Sequence, residues 1–281
     1  MPLPNFLIIG AQKSGTSYFA KILSQHPDIF VYKSEIHFFD KSKNYKKGIA
    51  WYKEHFPSYD NYKFIGEKTP DYLWANGNGA EGHLSNVHKN LFHHLPHAKL
   101  IILLRNPVSR AISAVNHIIR TGRISPLHNI DQLLIGNKAH LIEGHGIISK
   151  GMYYQQIKSY LEFFDRRQLL LLIYEEDLIM NSMSGLKKVC NFLGADSNFS
   201  FTNLKNPINY HNRSRISMVA DYYAPQLKRY TKWLDKYFRV NKLYPSDQTI
   251  KELNDIYTEP NQMFFEFIGR KIQSWQSHLS S

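Results

Sequence analysis

Four short apolar runs punctuate the chain, at Phe6 to Ile9, Phe64 to Ile65, Leu100 to Leu104 and Leu169 to Ile173. Each is brief and bounded by polar residues or glycine, the pattern of strands buried on both faces of a parallel sheet. Longer amphipathic stretches lie between them: Thr16 to Gln25, Val108 to Arg120, Tyr153 to Phe164 and Ser182 to Leu193. Gly194 closes the last of these as a helix C-terminal glycine does. Alternation of this kind predicts an α/β fold, with a central, mainly parallel sheet of about five strands flanked by helices in three layers. Residues 217–238 and 246–268 read as two further helical stretches with no strand between them. They are expected to form a helical C-terminal extension, so that residues 1–281 make a single domain.

Composition narrows the class. The chain has 281 residues, 43% hydrophobic and 21% charged, which suits a globular protein with a substantial core and excludes a disordered or fibrous one. Lys and Arg number 35 against 23 Asp and Glu, a formal charge of 35 − 23 = +12 that favours anionic partners without choosing among them. The single cysteine, Cys190, sits in a helix-like run with Leu186, Val189 and Leu193, so an intrachain disulfide framework is excluded. The apolar run after Asn5 is too short for a signal-peptide core, and no run reaches membrane-spanning length. The expectation is a cytoplasmic protein with no membrane span.

The first strand runs through Gly10-Ala11-Gln12-Lys13-Ser14-Gly15 into a helix that opens with Thr16, Ser17 and Tyr18. Unpaired backbone N–H groups at a helix start, aided by the helix dipole, bind phosphate or sulfate oxygens. Read alone, the two glycines serve equally to shape a strand-to-helix turn. Gly10 and Gly15 have the spacing of a nucleoside-triphosphate loop, but that motif places Lys directly after its second glycine, where this chain has Thr16. Its lysine stands at position 13. The Leu100 to Leu104 strand ends in Arg105 rather than a metal-holding acid, so the loop is suited to an anion without Mg²⁺. Arg105 stands at the carboxyl end of its strand, where open α/β sheets bind ligands, and Ser113 lies on the following helix. A surface ion pair and a solvated helix position are the alternatives for these two.

These residues carry a resemblance. Lys13-Ser14-Gly15-Thr16-Ser17 resembles the loop that holds the 5′-phosphosulfate in sulfotransferases dependent on 3′-phosphoadenosine 5′-phosphosulfate (PAPS), whose fold is P-loop-like. Arg105 with Ser113 resembles their 3′-phosphate site. Within that family the chain is most similar to the heparan sulfate glucosaminyl 3-O-sulfotransferase and N-sulfotransferase group. Glu35-Ile36-His37-Phe38-Phe39-Asp40, Glu67-Lys68-Thr69-Pro70-Asp71-Tyr72 and Glu259-Pro260-Asn261 with Phe264-Phe265 match motifs of that group in order.

The resemblance implies Glu35 as the base, with His37 and Asp40 in support, and Lys13 and Lys68 stabilising the leaving phosphate. It further implies donor contacts from Ser14, Gly15, Thr16, Ser17, Tyr18 and Tyr153. A basic loop over the 3′-phosphate corresponds to Arg213, Ser214 and Arg215, with serine where the family has glycine. If Lys33 to His37 is extended, Lys33, Glu35 and His37 face one way. The implied donor is PAPS, leaving 3′-phosphoadenosine 5′-phosphate (PAP), with no metal; the clustered His88, His93, His94 and His97 lack a recognised ligand spacing. The implied partner is a glycan, glycolipid or small hydroxylated acceptor, and no nucleic acid. Animal members carry a membrane anchor and a C-terminal disulfide, and with a single cysteine and no membrane-spanning run in this sequence the expectation is a bacterial, cytoplasmic setting. A nucleotide kinase and a non-catalytic binder of acidic glycans are the competing expectations.

Overall fold

The computed structural model describes residues 2–77, 82–204, 214–227, 230, 235 and 242–275. Five strands form one sheet: β1 (Phe6–Gly10), β2 (Ile29–Val31), β3 (Phe64–Lys68), β4 (Lys99–Leu104) and β5 (Leu169–Ile173). Their order is β2-β3-β1-β4-β5, and every pairing is parallel. The four apolar runs are thus strands. The three-residue β2 lies at the sheet edge, too short to register as an apolar run.

All five residues of β1 are buried, as expected for the central strand of a sheet covered on both faces. Side chains alternate across it. Leu7 and Ile9 join Leu100, Ile102 and Leu104 in one core with Phe38, Tyr52 and Tyr72, whereas Phe6 and Ile8 join Ile101 and Leu103 in another with Phe19 and Leu186. Each fully buried aliphatic side chain of this kind contributes about 1.5–3 kcal/mol. Gly66 of β3 passes so close to β1 that an added Cβ would stand 2.6 Å from the Phe6 carbonyl oxygen.

Helices follow the strands. Thr16–Leu23, here α1, begins at the end of the loop after β1, and Pro107–Arg120, Tyr153–Leu161 and Ser182–Leu193 match the amphipathic stretches to within a turn. Gly194 ends the last in the left-handed conformation, φ 94°. Towards the C-terminus, Arg215–Tyr223 and Asp247–Ile268 are helical. Among the described residues, no helix is long and apolar enough to cross a membrane.

The chain divides into two compact units, one comprising Met1–Asn106, Met152–Pro207 and Pro260–Ser281, the other Pro107–Gly151 and Ile208–Glu259. The first contains the whole sheet. The second is held by side chains bonded to backbone: the buried Arg110 guanidinium donates to the Ile147 carbonyl, Tyr257 Oη donates to Ile148 O at 2.9 Å, and Asn116 exchanges two bonds with Leu243 at 2.8 and 2.9 Å.

Candidate active site

The three central strands end side by side at their carboxyl ends. β1 delivers the loop 10–15, β3 delivers Lys68, and β4 delivers Arg105. In such sheets the carboxyl edge near the change in strand order is where ligands bind.

The loop turns through left-handed backbone at Lys13 (φ 72°) and Gly15 (φ 79°) before α1 begins. Successive turns of opposite hand make a concavity of backbone N–H groups suited to an anion. Gly15 is required twice over. A Cβ there would be strained by its positive φ and would stand 2.5 Å from Leu178 Cδ2 and 2.8 Å from the Tyr174 ring. Tyr174 also lies beneath Arg105, whose guanidinium carbon is 4.8 Å from the ring centroid, while Arg105 Nη1 donates to Lys13 O at 3.1 Å. Nothing in the sequence pattern pointed to Tyr174.

Among the described residues, the Ser14 hydroxyl, the Tyr18 hydroxyl and Arg105 Nε are buried with no hydrogen-bond partner. Leaving buried donors unpaired costs about 1–3 kcal/mol each, and two of them, Ser14 in the loop and Arg105 bonded to it, fit the oxygens of a phosphate or sulfate ester. Tyr153 is buried and donates through its hydroxyl to Arg105 O at 2.6 Å. It also packs on Phe264 and Trp275, so it is both a core aromatic and a support for the strand end.

The segment from Lys33 to His37 is not an extended strand. It is irregular, and His37 adopts φ 53°, so the simple alternation expected of these side chains does not apply. Glu35 and His37 nevertheless converge, because the turn is pinned from below. Ile36 N donates to Thr69 Oγ1 at 3.2 Å, Phe38 N to Tyr72 Oη at 2.9 Å, and Asn44 Nδ2 to Ile36 O at 3.0 Å. His37 Nε2 stands 3.3 Å from Glu35 Oε2, and His37 Nδ1 is 2.8 Å from Asp40 Oδ2.

Burial alone would disfavour charge on His37, but its bonds to Asp40 and Glu35 and the fields of Asp40 and Asp71 outweigh it and push its pKa up to about 10. His37 is therefore an imidazolium at neutral pH. His37, Asp40 and Asp71 each bring one ligand atom within 4.8 Å of the others, and the imidazolium is itself the positive charge in that group.

Lys68 joins the two halves of the site. Only 5% exposed, its Nζ donates to Ser17 Oγ of α1 at 3.0 Å and to Glu35 Oε1 at 2.7 Å. Burial works against ionisation of Glu35, yet the bond from His37 and the charge and bond of Lys68 prevail and hold its pKa below the ordinary value. Glu67 and Lys68 are not the simple adjacent pair that their neighbouring positions suggest. Strand alternation turns Glu67 into the core, fully buried, where it accepts from Tyr52, Thr69 and Tyr72 at 2.6, 2.7 and 2.9 Å.

Of the other expected residues, Ser113 lies half-buried on the Pro107–Arg120 helix in the second unit. Ser214 is fully buried there and N-caps the Arg215–Tyr223 helix, accepting from Ser217 N at 2.9 Å, and Arg215 is exposed. Arg213 lies outside the described residues.

Residues 3–223 match the family described as "Sulfotransferase domain". The mouse heparan sulfate glucosamine 3-O-sulfotransferase 3B1 is 28% identical over 278 residues, covering 95% of this chain and 64% of the mouse protein. The human protein of that name is 32% identical over 210 residues, covering 72% of this chain and 50% of its own length. The chain thus spans about half to two thirds of the length of these relatives. Among solved structures, a sulfotransferase from Alicyclobacillus acidocaldarius superposes with a TM-score of 0.71 at 22% identity, covering 98% of this chain and 100% of that one, a likeness of fold. The five-stranded parallel sheet with its loop from β1 into α1 is accordingly a P-loop-like fold, and the chain belongs to the sulfotransferase domain family.

Proposed function

We propose that the chain transfers the sulfuryl group of PAPS to a hydroxyl of a glycan-like acceptor, releasing PAP, with Glu35 as the base. The observation that carries this reading is the placement of Lys68 Nζ between Ser17 of the anion loop and the Glu35 carboxylate, at 3.0 and 2.7 Å. One side of the lysine faces the place for a phosphate ester and the other a proton acceptor. The acceptor oxygen forms a bond to sulfur as the bond from sulfur to the 5′-phosphate oxygen breaks, and the acceptor proton passes to Glu35.

The loop from Lys13 to Tyr18 would hold the 5′-phosphosulfate, and Lys13 and Lys68 would meet the charge that develops on the leaving phosphate oxygen. Arg105, backed by Tyr174 and tied to the loop through Lys13 O, would add a fork for a further phosphate. Glu35 is a weak base while Lys68 and His37 both bond to it. Two features offset that weakness. By analogy with phosphoryl transfer, the transition state is loose and asks little of the base. Lys68 also loses its hold on Glu35 as it turns to the leaving group. The His37 imidazolium, fixed by Asp40, then keeps the carboxylate in place.

The glycan acceptor is proposed from the motif resemblance, from what the relatives are named for, and from the positive charge of the chain. Calorimetric titration with PAP and with ATP and Mg²⁺ separates this reading from a kinase: PAP binds and ATP does not. Glu35→Gln retains PAP affinity within about twofold while turnover falls about 10²-fold or more, the scale of a lost general base. Turnover unchanged in that variant would remove Glu35 from the mechanism.

A further inference from the structure

The acidic partner of Lys68 in sequence, Glu67, has no part in the chemistry just described, yet it is a fully buried carboxylate that accepts three side-chain hydrogen bonds. Its Oε1 accepts from Tyr52 and Tyr72, and its Oε2 accepts from Thr69. Two of these three donors pass the connection on. Thr69 Oγ1 accepts from Ile36 N at 3.2 Å and from His37 N at 3.5 Å, and Tyr72 Oη accepts from Phe38 N at 2.9 Å. A hydroxyl has one proton to give. Because Glu67 takes the protons of both hydroxyls, their lone pairs are left to face the amides of Ile36, His37 and Phe38.

These three amides frame the turn in which His37 sits at φ 53°, a conformation that costs a non-glycine residue free energy and persists only where its surroundings impose it. On that reading of Glu35 as base, we infer that Glu67 is a positioning residue: through Thr69 and Tyr72 it orients the hydroxyls that hold the Ile36–Phe38 turn, and so sets Glu35 and His37 in register with Lys68. Tyr52 secures the carboxylate from the other side, stacked on Phe38 of the same turn at a centroid distance of 4.7 Å. Burial, opposed by these three bonds, pushes the Glu67 pKa up to about 7.

Glu67→Gln puts an amide donor where one hydroxyl must now accept, and Thr69→Val removes one relay without altering any charge. Thr69→Ser keeps the relay. The imidazole of His37, titrated by ¹⁵N NMR, reports the turn directly. It is faced by Glu35, Asp40 and Asp71, with Lys68 beyond Glu35 and His83 beyond Asp40. The wild-type midpoint near 10 is expected to fall by about one unit or more in Glu67→Gln and in Thr69→Val, and to stay in place in Thr69→Ser. PAP affinity is expected to remain within about twofold in all three, and kcat with PAPS to fall about tenfold or more in the first two, with KM for PAPS little changed.

A His37 midpoint unmoved in Glu67→Gln and Thr69→Val overturns the inference, as does a loss of PAP affinity in step with thermal stability, which marks a merely structural group. If both variants fail to fold, Tyr72→Phe, which removes the acceptor for Phe38 N together with one donor to Glu67, takes their place under the same criteria. Absence of PAP binding by the wild-type chain would instead sink the donor reading, while the His37 shift would still decide whether Glu67 holds the turn.

Discussion

Lys68 and His37 are two cations that share one carboxylate, and their separate effects can be read by titration. Lys68→Ala removes both a bond and a charge from Glu35, so the Glu35 pKa rises in the variant; carboxyl ¹³C NMR measures it. On the proposed mechanism turnover is expected to fall about 10²–10³-fold in the same variant, because the cation assigned to the leaving group is lost. His37 has a signature of its own. Its folded pKa lies above its unfolded value, so it contributes stability that is fully present below pH 6.5 and is lost as pH rises towards about 10. With its side chain 25% exposed, about 3 kcal/mol of stability is expected to disappear across that window. The thermal midpoint of the wild type should therefore drop more between pH 7 and 10 than that of His37→Gln, and equal slopes would refute the linkage. Glu35, His37, Asp40 and Lys68 were all legible as motif residues. Glu67 was legible only as part of its motif, because nothing in a sequence says which of two adjacent strand residues turns inward and which meets the ligand.

At the level of elements, the loop after β1 is built around Gly15. Gly15→Ala places a methyl into the Tyr174 and Leu178 side chains at a positive φ, and its cost is about 3 kcal/mol, from strain and overpacking together. Urea unfolding measures that loss, and PAP affinity falls with it because the loop is displaced from Arg105. Four of five strands and the main helices in the first two thirds of the chain were legible from periodicity, since buried parallel strands are continuous apolar runs. β2 was not, because a three-residue edge strand carries almost no pattern. A common face for Lys33, Glu35 and His37 required an extended segment there, and the structure forms an irregular one instead. Its geometry comes from distant hydroxyls at Thr69 and Tyr72, which override local preference.

For the molecule as a whole, the charge of +12 is the feature that acts at a distance. Binding of a polyanionic glycan, followed by fluorescence, is expected to weaken steeply as salt rises from about 0.1 to about 1 M, where the screening length falls from ~10 to ~3 Å. On the proposed donor reading, PAP engages the groups buried around the loop and should lose far less over the same range; equal losses would mean that the charge adds nothing to acceptor binding. The sequence by itself determined the α/β class, the glycine-bounded turn from the first strand into the first helix and the family to which the chain belongs, because these reside in local patterns and contiguous motifs. Only the tertiary structure decided that Lys68 bridges Ser17 and Glu35, that Tyr174 underlies Arg105, and that a buried Glu67 braces the turn of His37. The partners in each case lie 32 residues or more apart, except for the links of Glu67 to Tyr52, Thr69 and Tyr72, and such meetings depend on which strands become neighbours and which side chains alternation turns inward.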